Sequence, residues 1–182
     1  MNEDAKERIY QAASELLHEL EVPERITSRQ IATRAGVGVG LINYHFRSKD
    51  TLMHAVVSDR MMDQALHLQA REGLNPPEKL EAMLIALSDY AVAYEGTMRM
   101  ALSFELLQGK IQTPLYIMPL LTEIFPDRDE MKLRLTAFQL ITSLQAVALR
   151  PQQFSDFAGM DVRDKVQRDR LIKNLIQLNL QS

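Results

Sequence analysis

Apolar residues recur at helical spacing along almost the whole chain. Between Asp4 and Leu20 they fall at Ile9, Ala13, Leu16, Leu17 and Leu20, which is one face of an amphipathic helix, and Pro23 ends it. Thr27 with Gln30 has the form of a capping box, opening a short helix that Gly36 closes. A second short helix fits between Gly38 and Tyr44. Ser48 reads as the next N-cap, with Asp50 near the positive end of the dipole of a longer helix running toward Arg71. Gly73 to Pro77 breaks the pattern.

The stripe Leu80, Met83, Leu84, Leu87, Ala91 and Tyr94 gives a further helix, followed by one over Glu95 to Gln108. Thr113-Pro114 reads as a helix start and Pro119 as an interruption or kink. Asp127 with Glu130 reads as a capping box for a helix to about Leu149, and a last helix is expected from about Asp161 to Leu180. No stretch alternates with period two, and there is no internal repeat or low-complexity tract. The expected fold is all-α. An N-terminal three-helix domain with a helix-turn-helix is assigned to residues 1–54 and a larger helical domain to 55–182.

Composition adds exclusions. The 182 residues contain no cysteine, so disulfides and thiol chemistry are ruled out, and a reducing cytoplasm is the expected location. The charged start, "MNEDAKERIYQ", lacks signal-peptide character, and no apolar run approaches the ~20 residues of a membrane span. Net charge is −3, which argues against a general polyanion coat. Yet residues 22–54 hold Arg25, Arg29, Arg34, Arg47 and Lys49 against only Glu24 and Asp50, giving +3 there and −6 elsewhere. Such a patch on an acidic body suits one-sided contact with a polyanion.

That basic segment is "ITSRQIATRAGVGVGLINYHFRSKDTL", residues 26–52. Two short helices joined by a turn at Gly36 form a helix-turn-helix, whose second helix enters the major groove tip first. The tip here is Gly38-Val39-Gly40, without side-chain bulk at the glycines, so backbone and duplex can approach closely. Thr27 and Ser28 on one edge, and Tyr44, His45 and Lys49 on the other, are the candidate phosphate donors. Asn43 can bond adenine N6/N7 or, equally, a phosphate or water, and Val39 can meet a thymine methyl. Phe46, between two helices, is expected in the core.

The pattern T-x-x-x-I-A-x-x-A-G-V-x-x-G-x-x-x-Y-H-F-x-S-K-x-x-L resembles the N-terminal domain of TetR-type transcriptional repressors. It is carried by Thr27, Ile31, Ala32, Ala35, Gly36, Val37, Gly40, Tyr44, His45, Phe46, Ser48, Lys49 and Leu52. The resemblance spans about the first third of the chain. It implies a three-helix DNA-binding domain, a helical domain that binds ligand and dimerises, and repression relieved by ligand. Three positions depart from the family habit: Gly38 where Ser or Thr is common, Val39 where a polar residue is common, and Asn43 where an aromatic is common. The tip therefore offers little hydrogen-bond readout.

A single helix-turn-helix has a small footprint, so a homodimer on double-stranded, palindromic operator DNA is expected. The helix after Asp127 is apolar on two sides, one carrying Leu133, Ala137, Leu140, Ile141, Leu144 and Val147, the other Met131, Leu135, Phe138, Thr142 and Leu149. The last helix carries Leu171, Leu175 and Leu178 beside Ile172 and Ile176. The dimer-interface candidates are Leu133, Ala137, Leu140, Ile141, Leu144, Val147, Leu171, Leu175 and Leu178, forming a four-helix bundle with a mate.

Candidates for a cavity holding a small apolar or aromatic effector are Met61, Tyr90, Tyr94, Met98, Phe104, Gln108, Tyr116, Met118 and Phe138, though such residues at helical spacing are more often core. Glu95, Arg99 and Glu105 are expected on the solvent face.

An enzyme is disfavoured. The four histidines, His18, His45, His54 and His67, form no metal motif, and Asp50 with His54 reads as a surface pair. No catalytic residue, metal or cofactor is assigned. The favoured function is a sequence-specific DNA-binding regulator, a repressor released by a small effector. The alternative is an architectural or division-linked DNA-binding protein of the same fold with no effector.

Overall fold

Capping chemistry sets where the helices begin. The computed structural model describes residues 2–20, 25–70, 72–107 and 111–180. Helix α1 (Asn2–Leu20) is followed by α2 (Ser28–Ala35), α3 (Gly40–Phe46) and α4 (Lys49–Gln69). Thr27 caps α2 through the expected box: its hydroxyl accepts from Gln30 N–H at 3.2 Å, and Gln30 Oε1 accepts from Thr27 N–H at 2.8 Å. Gly36 ends α2 at φ +65°, a left-handed conformation that a Cβ disfavours. Ser48 Oγ accepts from Thr51 N–H at 3.1 Å, capping α4. α3 begins at Gly40, two residues later than the sequence pattern suggests, because Val39 is its uncapped N-terminal neighbour.

The remaining helices are α5 (Pro76–Ala93), α6 (Glu95–Leu107), α7 (Met118–Ile124), α8 (Glu130–Leu149), α9 (Pro151–Ala158) and α10 (Lys165–Leu180), with a 3₁₀ turn at Thr113–Ile117 before α7. Among the described residues there is no strand, so the all-α expectation holds. Asn75 and Glu78 form a second capping box ahead of α5.

Further boundaries differ from those the sequence pattern suggests. Thr113-Pro114 opens a 3₁₀ turn, not an α-helix. Pro119 does not kink a helix but sits in the first turn of α7, where its missing N–H costs nothing. The cap of α8 is Asp129, not Asp127: Asp129 Oδ1 accepts from Met131 N–H at 3.0 Å and Lys132 N–H at 3.3 Å. Pro151 starts an additional helix, α9, which Gly159 closes at φ +65°, and α10 begins only at Lys165.

α4 connects the first three helices to the rest of the chain. Its 21 residues span about 30 Å. At its start Leu52, Met53 and Val56 are buried with Ile9, Leu17, Ile31 and Ile42 of the first three helices. Further along, Met61 is buried with residues of the later helices, and the whole set forms one connected hydrophobic cluster reaching Ile172 of α10. Fully burying each large aliphatic side chain contributes roughly 1.5–3 kcal/mol. α10 is clamped onto α5 by Ile172, fully buried, and by Lys165–Asp89 at 2.8 Å and Lys173–Glu81 at 3.3 Å.

Candidate nucleic-acid interface and effector cavity

The tip of the helix-turn-helix stands clear of the rest of the protein. A Cβ added at Gly38 or Gly40 meets no atom within 4 Å, and neither residue has positive φ. The protein's own packing therefore does not require glycine at these positions. Val39 between them is exposed, as is Asn43 one turn on. Tyr44 is 69% exposed and meets the His45 ring edge-on at 5.0 Å.

The flanking donors are less uniform than the sequence suggests. Thr27 and Ser28 lie at the start of α2, but the Thr27 hydroxyl already donates to Gln30 Oε1 at 2.8 Å. His45 is half-buried and its Nε2 is enclosed without a partner among the described residues, so this nitrogen is not offered to phosphate. Lys49 donates to the Ile26 carbonyl at 3.1 Å. Arg34 is held by Glu19 at 2.6 Å, which pairs off one of the five local cations. Arg25, Arg29 and Arg47 are exposed and make no ion pair among the described residues. Arg47 was counted only as local charge in the sequence. It caps α3 at φ +67°, directly between His45 and Lys49, and is an added candidate phosphate ligand. Phe46 packs against the core as expected.

Behind α4, an apolar cavity lies among α4, α5, α6, α8 and α10, partly open to solvent. Met61 and Met98 line it, as the sequence predicts. The other candidates disperse. Tyr90 and Tyr94, ring centroids 4.4 Å apart, line a separate open groove with Arg60 and Asp63. Burial pushes the Tyr90 phenol up to about 12. Phe104 and Tyr116 border a small polar cavity with His54, Ser58, Glu105 and Thr113. Met118 packs against the core, and Phe138 is exposed on the outer side of α8, and neither lines the cavity behind α4. Gln108 lies outside the described residues.

Residues that sequence reasoning missed make the cavity's polar part: Glu95, Gln145, Arg163 and Arg168. Arg168 is 7% exposed, which nothing in the sequence signals, since a charged residue in an amphipathic helix ordinarily faces water. Its guanidinium donates to the carbonyls of Val162 and Arg163, both at 3.0 Å, and to Asp89. Burial opposes ionisation of Asp89, but the hydrogen bonds from Arg168 and Lys165 prevail and hold its carboxyl below the ordinary range. Glu105 is not on the solvent face. It ties down the 3₁₀ turn by accepting from the N–H groups of Gln112 and Thr113 at 2.9 Å each and from Gln145 Nε2 at 3.2 Å. Glu95 pairs with Arg99 at 2.7 Å and Arg163 at 3.3 Å.

The expected dimer residues divide. Leu133, Ala137, Leu140 and Ile141 are enclosed by their own subunit and are not available to a mate. Leu144, Val147 and Leu171 line the cavity, and Leu175 packs against the core. Leu178 is exposed. The outward stripe of α8 is the other one, with Met131 69%, Leu135 55% and Phe138 41% exposed. Period alone cannot tell which of two apolar stripes faces inward.

Among the described residues no group of three or more His, Asp or Glu side chains can hold a metal, and no helix is long and apolar enough to cross a membrane.

A slim, exposed helix tip among cations is joined through one long helix to an apolar cavity, the arrangement of a helix-turn-helix unit on a helical body. Residues 9–56 match the family described as bacterial regulatory proteins, tetR family. Three solved structures are similar over nearly the whole chain. A TetR transcriptional regulator from Rhodococcus sp. RHA1 has a TM-score of 0.68 at 16% identity, with 99% of this chain and 98% of that one covered. FadR of Thermus thermophilus, a TetR family transcriptional repressor in complex with lauroyl-CoA, has a TM-score of 0.63 at 18% identity, with 92% of each chain covered. The fatty acid degradation regulator FadR of Bacillus halodurans has a TM-score of 0.53 at 20% identity, covering 97% and 94%. No curated protein matches the chain in sequence at a significant level. Residues 9–56 thus match the tetR family, and over nearly the whole chain the fold is that of TetR-family transcriptional regulators.

Proposed function

We propose that the protein is a homodimeric transcriptional repressor that leaves a palindromic operator when a small apolar effector enters the cavity behind α4. The observation that carries this reading is α4 itself. It begins at Lys49, beside the recognition tip, and Met61 on the same helix lines the cavity. A ligand that widens or fills that cavity moves a rigid element whose other end positions the tip.

Residues 1–54 then act as the DNA-binding part and 55–182 as the regulatory part, with no break in the core between them. Thr27, Ser28, Tyr44 and Lys49, joined by Arg47, position the phosphate backbone, while Val39, Asn43 and the glycine tip meet base edges. The mate docks on the outward stripe of α8, Met131, Leu135 and Phe138, together with the exposed Leu178 of α10. Two recognition tips must lie about 34–36 Å apart to enter successive major grooves, and effector binding changes that spacing. The complex of FadR of Thermus thermophilus with lauroyl-CoA supports an apolar effector. The protein works in the cytoplasm and carries out no reaction.

The test is selection of duplexes from a random library by the purified protein. An inverted repeat bound by two subunits is the expected result. Enrichment without any common sequence overturns the operator-specific reading.

A further inference from the structure

The cavity behind α4 has an asymmetric wall. Its body is aliphatic, with Leu87, Leu102, Ile141 and Val147 beside Met61 and Met98, and among the described residues no aromatic ring lines it. Among the described residues its ionisable lining is Glu95, Arg163 and Arg168, with Arg163 paired to Glu95 and Arg168 to Asp89 just behind the wall. Arg168 is 93% buried by its 7% exposure. Its two terminal nitrogens are engaged by Asp89 and by the carbonyls of Val162 and Arg163, yet its Nε–H is buried without an acceptor among the described residues. A buried donor left without a partner costs about 1–3 kcal/mol, so an acceptor brought to it is favoured. Asp89 cannot fill that role, since its carboxylate already serves Arg168 Nη2 and Lys165 Nζ.

We propose that this cavity takes an aliphatic monocarboxylate, with the chain against the Leu, Ile, Val and Met wall and the carboxylate accepting from Arg168 Nε–H. Arg163, half-exposed at the cavity mouth, adds a second cation at the head-group end. The absence of rings favours a flexible chain over a planar aromatic body, because aromatic ligands draw part of their affinity from ring–ring contacts. The methionines supply a wall that adapts to chain length. This assignment rests on the effector-responsive reading above but concerns only what the cavity binds.

Octanoate and octylamine are the probes, each titrated into the full-length protein by calorimetry, with thermal unfolding alongside. Octanoate is expected to bind and raise the melting temperature. Octylamine, cationic and without an acceptor, is expected to do neither. Arg168→Lys keeps a cation for Asp89 but replaces Nε–H by a methylene, and should bind octanoate about tenfold more weakly, the loss of one hydrogen bond to a charged group. Equal binding of the two probes, or unchanged octanoate affinity in a folded Arg168→Lys, overturns the proposal. Should Arg168→Lys fail to fold, Glu95→Gln decides. Removing this acid from the lining should tighten octanoate and leave octylamine no tighter, and an unchanged octanoate affinity overturns the proposal. DNA release is measured separately on a duplex selected as above. Arg168-dependent octanoate binding that leaves the DNA bound keeps the carboxylate site and removes the effector-responsive reading. DNA release by octylamine without octanoate binding does the reverse.

Discussion

The ammonium of Lys49 donates to the backbone carbonyl of Ile26, 3.1 Å away, and so ties the first turn of α4 to the residue preceding the α2 N-cap Thr27. Lys49 is therefore part of the scaffold as well as a cation beside the tip. Lys49→Ala should weaken DNA binding equally for all sequences and lower the salt slope by about one counterion. It should also cost about 0.5–1.5 kcal/mol of folding stability, the typical net worth of a hydrogen bond. Anisotropy titrations at several salt concentrations, with urea melts of the same samples, check both. An altered base preference with an intact salt slope would remove Lys49 from the phosphate contacts.

Gly36 and Gly40 lie four positions apart but serve different partners. Gly36 has φ +65°, so Gly36→Ala forces a Cβ into the left-handed region and should destabilise by about 1–2 kcal/mol. Gly40 has open space around its absent Cβ and ordinary φ. Gly40→Ala should leave the melting temperature unchanged or slightly raised while weakening operator binding. A stable Gly40→Ala protein with full DNA affinity would show that the tip does not approach the duplex closely.

The two faces of α8 separate folding from assembly. Phe138→Glu, on the exposed stripe, should shift the protein from dimer to monomer in sedimentation equilibrium without altering its helical content. Leu133→Ala, in the subunit core, should cost about 2–5 kcal/mol of stability. A Phe138→Glu protein that remains dimeric places the mate elsewhere.

His54 gives stability a pH dependence. Burial pushes its imidazole below its ordinary value, and the nearby Glu105 charge and the bond to Ala101 only partly offset this. Its polar cavity is shared with Ser58, Glu105 and Tyr116, and its ring lies 5.0 Å from Phe104. Because the folded value is depressed, the unfolded chain binds the proton first as pH falls. The contribution is complete above the ordinary value of about 6.5 and is lost as pH drops through the lower folded value. Urea midpoints between neutral and mildly acidic pH should fall for the wild type, and less steeply for His54→Gln. Parallel slopes in the two proteins would assign the effect to other groups.

Short-range chemistry is legible from the order of residues alone. The Thr27–Gln30 box, the left-handed Gly36 and the Ser48 cap each depend on residues three or four apart, so the helix-turn-helix and its basic setting are visible in residues 26–52. The same locality explains the near misses. Asp127 and Asp129 are both competent caps for α8, and only the turn closed by Arg128 N–H on the Phe125 carbonyl brings Asp129 to the helix end.

Tertiary structure decided everything that depends on which face turns inward. The two stripes of α8 are equally apolar, and packing against α5, α6 and α7 chose Leu133, Ala137, Leu140 and Ile141 for the core and left Met131, Leu135 and Phe138 outside. Arg168 is buried only because Asp89, 79 residues away, and two loop carbonyls compensate a charge that in isolation would face water. Helical periodicity repeats every few residues and carries no information about partners that distant, so the burial of Arg168 and its unpaired Nε–H were set by the assembled helices.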